Sequence, residues 1–321
     1  LAMSFGYTTA QEGRAFAQTH DALAGYANSV GFPIDVVSYI DYSDLTPLSS
    51  EWYGNSYHKG YRVGGVKLTL DGSPQGRTAW RTEPYLLPPE GQGEDYAGYP
   101  AIPDDQVVID IVDQAYREGW QVLMHANGDA AVDQMIRAIR PAQEKYGPGD
   151  RRHVLVHGQY TRLDQLPELA ELQIVGSFFP MHTFYWGDWH SELIGPEKAR
   201  HISPTRSALD HGIPITSHTD APVVLPNLMQ VVWATVNRVT RSGKVLGPEE
   251  RLTPEEALKA ISLWGAWQHF EEDDKGSITP GTRADLVILS DNPLTIEPLR
   301  LNEIVVLETI KDGRTVWRRE Q

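Results

Sequence analysis

Cysteine is absent from the 321-residue sequence. That absence excludes disulfides, cysteine nucleophiles and thiolate metal sites together, so a transition metal held here must be bound by histidine and carboxylate. Basic residues are in deficit, with 28 Lys and Arg against 43 Asp and Glu and a net charge of −15. Nucleic acid and anionic membranes both reward clustered Lys and Arg, and neither is an expected partner. No window reads as a membrane span, because the longest uncharged run, 221–237, is broken by Pro222, Pro226, Asn227 and Gln230. No glycine-rich phosphate fingerprint opens a helix, which argues against a dinucleotide-binding open sheet. The chain starts Leu1-Ala2-Met3-Ser4 with neither a charged nor an apolar leader segment and reads as entered in mid-fold. The lack of cysteine suits cytoplasm and periplasm equally.

What is present is an apolar fraction of 40%, ample for one large domain or two smaller ones. Short β-rich runs occupy 34–40, 63–70, 121–125, 153–157, 173–179 and 213–217, with a further strand end expected at 7–9. Helical patterns lie between them at 104–117 and 130–146, and this alternation argues for a parallel sheet with helical crossovers. The polar residues that end the runs are Lys67, His125, His157, His182 and Asp220, separated by 58, 32, 25 and 38 residues. A (β/α)8 barrel allots about 31 residues per unit, so three gaps fit. The long gap holds a Pro-, Gly- and Tyr-rich stretch at 83–103, read as a loop inserted over the active face. Thr253-Pro254-Glu255-Glu256 starts a helix expected to run to Gln268. From Lys275 the texture turns to β at 276–281, 284–289 and 304–310, and Lys311-Asp312-Gly313-Arg314 signals a hairpin into 315–317.

In such a barrel, catalytic groups sit at the C-terminal ends of strands. Val122-Leu123-Met124-His125 and Val154-Leu155-Val156-His157 each close an apolar run with histidine. Ile213-Pro214-Ile215-Thr216-Ser217-His218-Thr219-Asp220 closes with an acid, and Lys67 lies inside an apolar strand, where a charged amine is costly unless paired or modified. Two imidazoles, a carboxylate and a buried lysine make a hard-to-borderline metal site, although a single strand-end histidine is more often hydrogen-bonded scaffold. His153 and His157 do not read as a helical zinc pair, since Val-Leu-Val between them is β-rich and the glutamate of that motif is missing. His182 and His190 bracket an aromatic stretch that either lines a substrate pocket or lids the barrel.

With those residues in view, the sequence resembles the amidohydrolase superfamily, in the branch of YtcJ-like proteins and N-substituted formamide deformylases. The resemblance runs through Val66-Lys67-Leu68-Thr69-Leu70-Asp71-Gly72 with Arg77-Thr78-Ala79, then His125-Ala126-Asn127-Gly128-Asp129 and His157-Gly158-Gln159. It continues at Ser217-His218-Thr219-Asp220-Ala221-Pro222-Val223 and from Lys275 to Leu286. It implies an α/β fold, a (β/α)8 barrel plus part of a small β-sandwich, divided as 1–270 and 271–321. It further implies that His125 (strand five), His157 (strand six) and Asp220 (strand eight) ligate metal, with Asp220 also moving protons. Lys67 matches a strand-four lysine that some members carboxylate to bridge two metals. The family's strand-one His-x-His pair has no counterpart here, so a preceding segment or another chain is expected to supply strand one and half of the sandwich.

The resemblance thus implies a metal-dependent hydrolase of C–N bonds in amides, formamides or cyclic amides. One or two divalent ions, zinc foremost, would serve it, and His182, Asp71 and Arg77 would bind substrate or orient ligands. A small amide-type molecule, a second copy of the chain and the N-terminal segment are the expected partners. The rival reading is a non-catalytic barrel used for regulation or binding, favoured by the missing His-x-His pair. A sugar-cleaving barrel ranks third, because glutamate is scarce at the strand ends.

Overall fold

Seven strands lie side by side in chain order, each parallel to the next. They are β1 (Thr9–Ala15), β2 (Asp35–Asp41), β3 (Tyr61–Thr69), β4 (Gln121–Ala126), β5 (Val154–His157), β6 (Val175–Phe178) and β7 (Ile215–Ser217). The computed structural model describes residues 1–320, so Gln321, the last residue of the expected 271–321 unit, lies outside the described residues. Helices fill most of the connections, as parallel pairing requires. The sheet is curled like a barrel wall, which is visible at its two edges. β1 and β7 stand first and last in the sheet, yet one side chain touches both. Thr216 on β7 donates to Gln268 Oε1 at 2.7 Å, and Gln268 Nε2 reaches Gln11 Oε1 on β1 at 3.4 Å.

Six of the seven strands fall on the β-rich runs. The exception corrects the expectation at 7–9, which is where β1 begins and not where a strand ends. Its sequence, Gln11-Glu12-Gly13-Arg14, lacks the apolar run that marks a buried strand, because an edge strand is only half covered. The inner layer of the curl is small: Val37, Tyr39, Leu123, Val154, Val156 and Val175 form one buried cluster. The larger core lies outside the sheet, under helices such as Asp105–Glu118 and Asp129–Tyr146. Both helices match the expected spans to within a residue. Asp104 caps the first by accepting from Gln106 N at 2.9 Å, and Gly119 ends it at φ 73°.

Three local expectations change. The helix from Thr253 does not run unbroken to Gln268 but splits into Pro254–Ala260 and Leu263–Gln268. Ser262 leaves helical geometry, and its hydroxyl donates to Leu258 O at 2.7 Å, competing with the backbone ladder. The stretch 276–281 is irregular, since Pro280 has no N–H to give a ladder and Gly276 and Gly281 take φ of 86° and 104°. The aromatic stretch after β6 is a helix, Met181–Ile194, so His182, expected to end a strand run, lies in the first turn of that helix, because Pro180 closes the strand after Phe178.

The C-terminal strands β8 (Leu286–Leu289), β9 (Val306–Lys311) and β10 (Arg314–Arg318) form an antiparallel sheet in the order β10-β9-β8. Asp312 and Gly313 make the expected two-residue turn at φ 49° and 75°. The turn Ala2–Phe5 packs on this sheet, with Thr309 Oγ1 donating to Met3 O at 2.7 Å. No helix among the described residues is long and apolar enough to cross a membrane.

Candidate metal centre

The C-terminal ends of β3, β4, β5 and β7 converge on a few side chains. Lys67 lies within β3, His125 within β4, His157 ends β5, and His218 and Asp220 follow β7. His157 and Asp220 adopt φ of 78° and 53°, left-handed conformations that cost a non-glycine residue about 1–3 kcal/mol and concentrate at functional sites. Each strand thus turns sharply at its last polar residue and leaves the side chain facing the mouth. Donor atoms of His157, His218 and Asp220 all lie within 4.8 Å of one another. The His125 ring meets His157 edge to face at 4.5 Å between centroids, and His157 meets His218 at 4.9 Å.

Burial sets the charge states. The Lys67 amine is pushed down to about 7 chiefly by loss of solvent, with Asp220 opposing and Arg14 adding to the shift. His157 is held well below the usual histidine range by burial, then by His125, His218, Lys67 and His182. His218 is pushed down to about 4, again by burial, with Asp220 pulling the other way. Neutral imidazoles offer lone pairs, the form a metal takes. The buried Nε2 of His218 has no hydrogen-bond partner among the described residues. An orphaned lone pair among neutral imidazoles and a carboxylate is what a divalent cation would satisfy, so the donor set fits one.

His125, expected as a ligand, stands beside the group of His157, His218 and Asp220 and is not one of its three members. Its Nε2 lies 2.9 Å from Gly72 O, 3.3 Å from Asp71 Oδ1 and 3.1 Å from Asn127 Nδ2; because that amide already donates to Gly72 O, the two acceptors assign the proton to Nε2 and leave Nδ1 as the free donor atom. Asp71 is fully engaged in holding the loops together: it accepts from Trp80 N at 2.9 Å, Asn127 N at 2.9 Å and Gly128 N at 2.7 Å. A Cβ on Gly128 would stand 1.8 Å from Trp80 O, so only glycine lets the insert come this close to the end of β4. Arg77, at φ 55°, donates to Pro88 O at 3.0 Å and places its guanidinium 5.1 Å over the Trp189 ring. His182 is buried against Phe179 and Trp186, at 5.0 and 4.7 Å.

The structure therefore brings His157 and Asp220 together with Lys67 and His125 close by, and adds His218, which the sequence reading left without a role. The signal was available in the sequence: His218 stands two residues before Asp220 at the end of a β-rich run, a spacing that puts both on one face of an extended chain.

Residues 2–317 match the amidohydrolase family. The chain is 26% identical over 259 residues to the amidohydrolase YtcJ of Bacillus subtilis, covering 80% of this chain and 47% of that protein. It is 29% identical over 208 residues to the N-substituted formamide deformylase of Arthrobacter pascens, covering 64% and 38%. A crystal structure of an uncharacterized metal-dependent hydrolase from Pyrococcus furiosus superposes with a TM-score of 0.77 at 26% identity, covering 91% of this chain and 58% of that one. The chain spans less than half the length of these two curated relatives. A family match along nearly all of the sequence, on a curled parallel sheet with a metal-competent cluster at its C-terminal face, establishes that the chain belongs to the amidohydrolase family.

Proposed function

We propose that this chain supplies most of the active site of a metal-dependent hydrolase that cleaves C–N bonds of amides, formamides or cyclic amides. The observation that carries the reading is the cluster of His157, His218 and Asp220 beside a buried, weakly basic Lys67. His157, His218 and Asp220, with His125 through Nδ1, would hold one or two divalent ions, zinc foremost, and Lys67 would join them if carboxylated. When bound, such an ion supplies Lewis acidity that activates water and polarises the carbonyl. Asp220 takes the proton of the attacking water and returns it to the leaving amine nitrogen, so the C–N bond breaks as a neutral amine departs. His182 and Arg77 hold the substrate, Asp71 keeps His125 in register, and the 83–103 insert with Trp186 and Trp189 excludes water. The barrel part is assigned to 1–270 and the sandwich part to 271–321.

Metal analysis and turnover of a panel of N-substituted formamides and cyclic amides test this reading on one preparation. Bound divalent metal near one or two per chain, with activity lost to a chelator and restored by zinc, is the expected result. A protein that retains no metal and turns over none of the panel would instead fit the binding-module reading, and one that is active without metal would refute the metal-dependent mechanism.

A further inference from the structure

Behind His182, which the proposed chemistry uses, a buried chain of side chains runs through His190 on the same helix, Met181–Ile194, to Tyr160, and the chemistry gives those two no role. Tyr160 Oη lies 2.7 Å from His190 Nδ1, and His190 Nε2 lies 3.0 Å from His182 Nδ1. All three are buried, at 8%, 0% and 3% exposure. Burial also holds both imidazoles neutral and the phenol protonated. Each imidazole therefore carries one proton, and the direction of the chain decides which nitrogen has it.

The Tyr160 hydroxyl has no other partner among the described residues, so its proton goes to His190 Nδ1. The Arg81 guanidinium, 5.8 Å over the Tyr160 ring, polarises the phenol toward donating. His190 must then carry its own proton on Nε2 and give it to His182 Nδ1. His182 is left with its proton on Nε2, an atom with no protein partner among the described residues and not sealed from solvent. Phe179 lies 5.0 Å from His182 and 5.2 Å from His218, so this N–H stands one aromatic ring away from the metal cluster.

We propose that Tyr160 and His190 are positioning residues that lock His182 as an Nε2–H donor, which holds the carbonyl oxygen of the substrate. The inference rests on the hydrolase reading for the identity of the acceptor, but not for the tautomer. It makes the pocket selective for a hydrogen-bond acceptor at that point. The opposite tautomer would present a lone pair and favour a substrate N–H.

Long-range proton–nitrogen correlation spectra of protein labelled with 15N-histidine read the tautomers without substrate. In the unmodified protein, His182 and His190 should both carry the proton on Nε2, and a His182 protonated on Nδ1 overturns the proposal. Tyr160→Phe should move a fraction of both rings to the Nδ1–H form, whereas His190→Gln, whose amide can still donate, should keep His182 on Nε2. An unchanged His182 tautomer in Tyr160→Phe also overturns it. With an N-substituted formamide as probe, kcat of Tyr160→Phe should fall in proportion to the fraction of His182 turned, with KM less affected, and an unchanged kcat would remove the substrate contact. If the unmodified protein turns over neither formamides nor cyclic amides, the hydrolase reading fails and the spectra still decide the tautomer.

Discussion

At the scale of single residues, Asp220 separates chemistry from scaffolding. Its side chain is exposed at the mouth, and its backbone is left-handed at φ 53°. Asp220→Asn keeps the shape and removes the base, so kcat should fall by about 10²–10⁴-fold. The melting temperature should stay close to that of the unmodified protein, and His157 and His218 should retain most of the metal. Normal turnover per folded molecule, with a lowered melting point, would make Asp220 a turn residue only. His153 offers a different test, because it sits away from the mouth with Val122 N donating to its Nδ1 at 3.1 Å. Burial, with Arg151 adding, pushes it down to about 3, and burial pushes His190 and His269 to about 3 as well. A histidine buried neutral contributes stability that is complete above its unfolded value near 6.5 and is lost as pH falls toward the folded value. Unfolding free energy should therefore drop between pH 6.5 and about 4, by about 1.4 kcal/mol per unit for each such group. His153→Gln keeps an acceptor for Val122 and should make the slope shallower by one proton in urea titrations at several pH values. A parallel curve would mean that His153 does not stay neutral in the fold.

At the scale of elements, the insert between β3 and the helix Asp105–Glu118 is tied down at several points. Among them are Thr82 N on Asp129 Oδ1 at 3.1 Å and Leu86 N on Leu193 O at 2.9 Å, and Asp71 is the one that joins it to the end of β4 beside His125. Asp71 binds the backbone of Trp80 on the insert and of Asn127 and Gly128 at the end of β4. Asp71→Ala would strand three buried donors and free His125 Nε2, at a cost of about 3–5 kcal/mol. Limited proteolysis should then cut within 71–103 faster than in the unmodified protein, and urea unfolding should shift to lower midpoint. An unchanged cleavage rate would show that the other anchors of the insert, such as Thr82 on Asp129 and Leu86 on Leu193, suffice to hold it. Legibility at this scale follows coverage. The strands β4 and β5 were legible because they are buried runs that end in histidine. The strand β1 was not, because its polar residues sit on an edge. The helix Met181–Ile194 is aromatic and apolar on nearly every side, so no face stands out in its sequence.

At the scale of the whole molecule, the curled sheet and the small sheet are joined by buried ions. Lys311 at the end of β9 contacts Asp35 of β2 at 2.7 Å and Asp285 at 2.8 Å, and Lys275 contacts the same Asp35 at 2.7 Å and Glu271 at 2.7 Å. Removing one partner of a buried ion pair leaves an uncompensated charge, so Lys311→Met should cost about 3–5 kcal/mol. Pairing it with Asp285→Asn should recover part of that loss, which a double-mutant cycle in denaturant measures. Strictly additive losses would show the two groups to be independent.

The sequence by itself determined the parallel-strand plan, six of the seven barrel strands and the placement of Lys67, His125, His157 and Asp220 at or near the C-terminal ends of strands, though not that of His182, which lies on a helix. Local period and the cost of burying polar groups force those features wherever the chain is well covered. Tertiary structure alone decided that His218 stands within ligand distance of His157 and Asp220, since proximity across β5 and β7 depends on how the sheet curls. It also decided the pairing of Lys311 with Asp35, 276 residues apart in the chain. The direction of the Tyr160–His190–His182 chain is likewise tertiary, because a tautomer is set by the neighbour on the other nitrogen, and no local pattern names that neighbour.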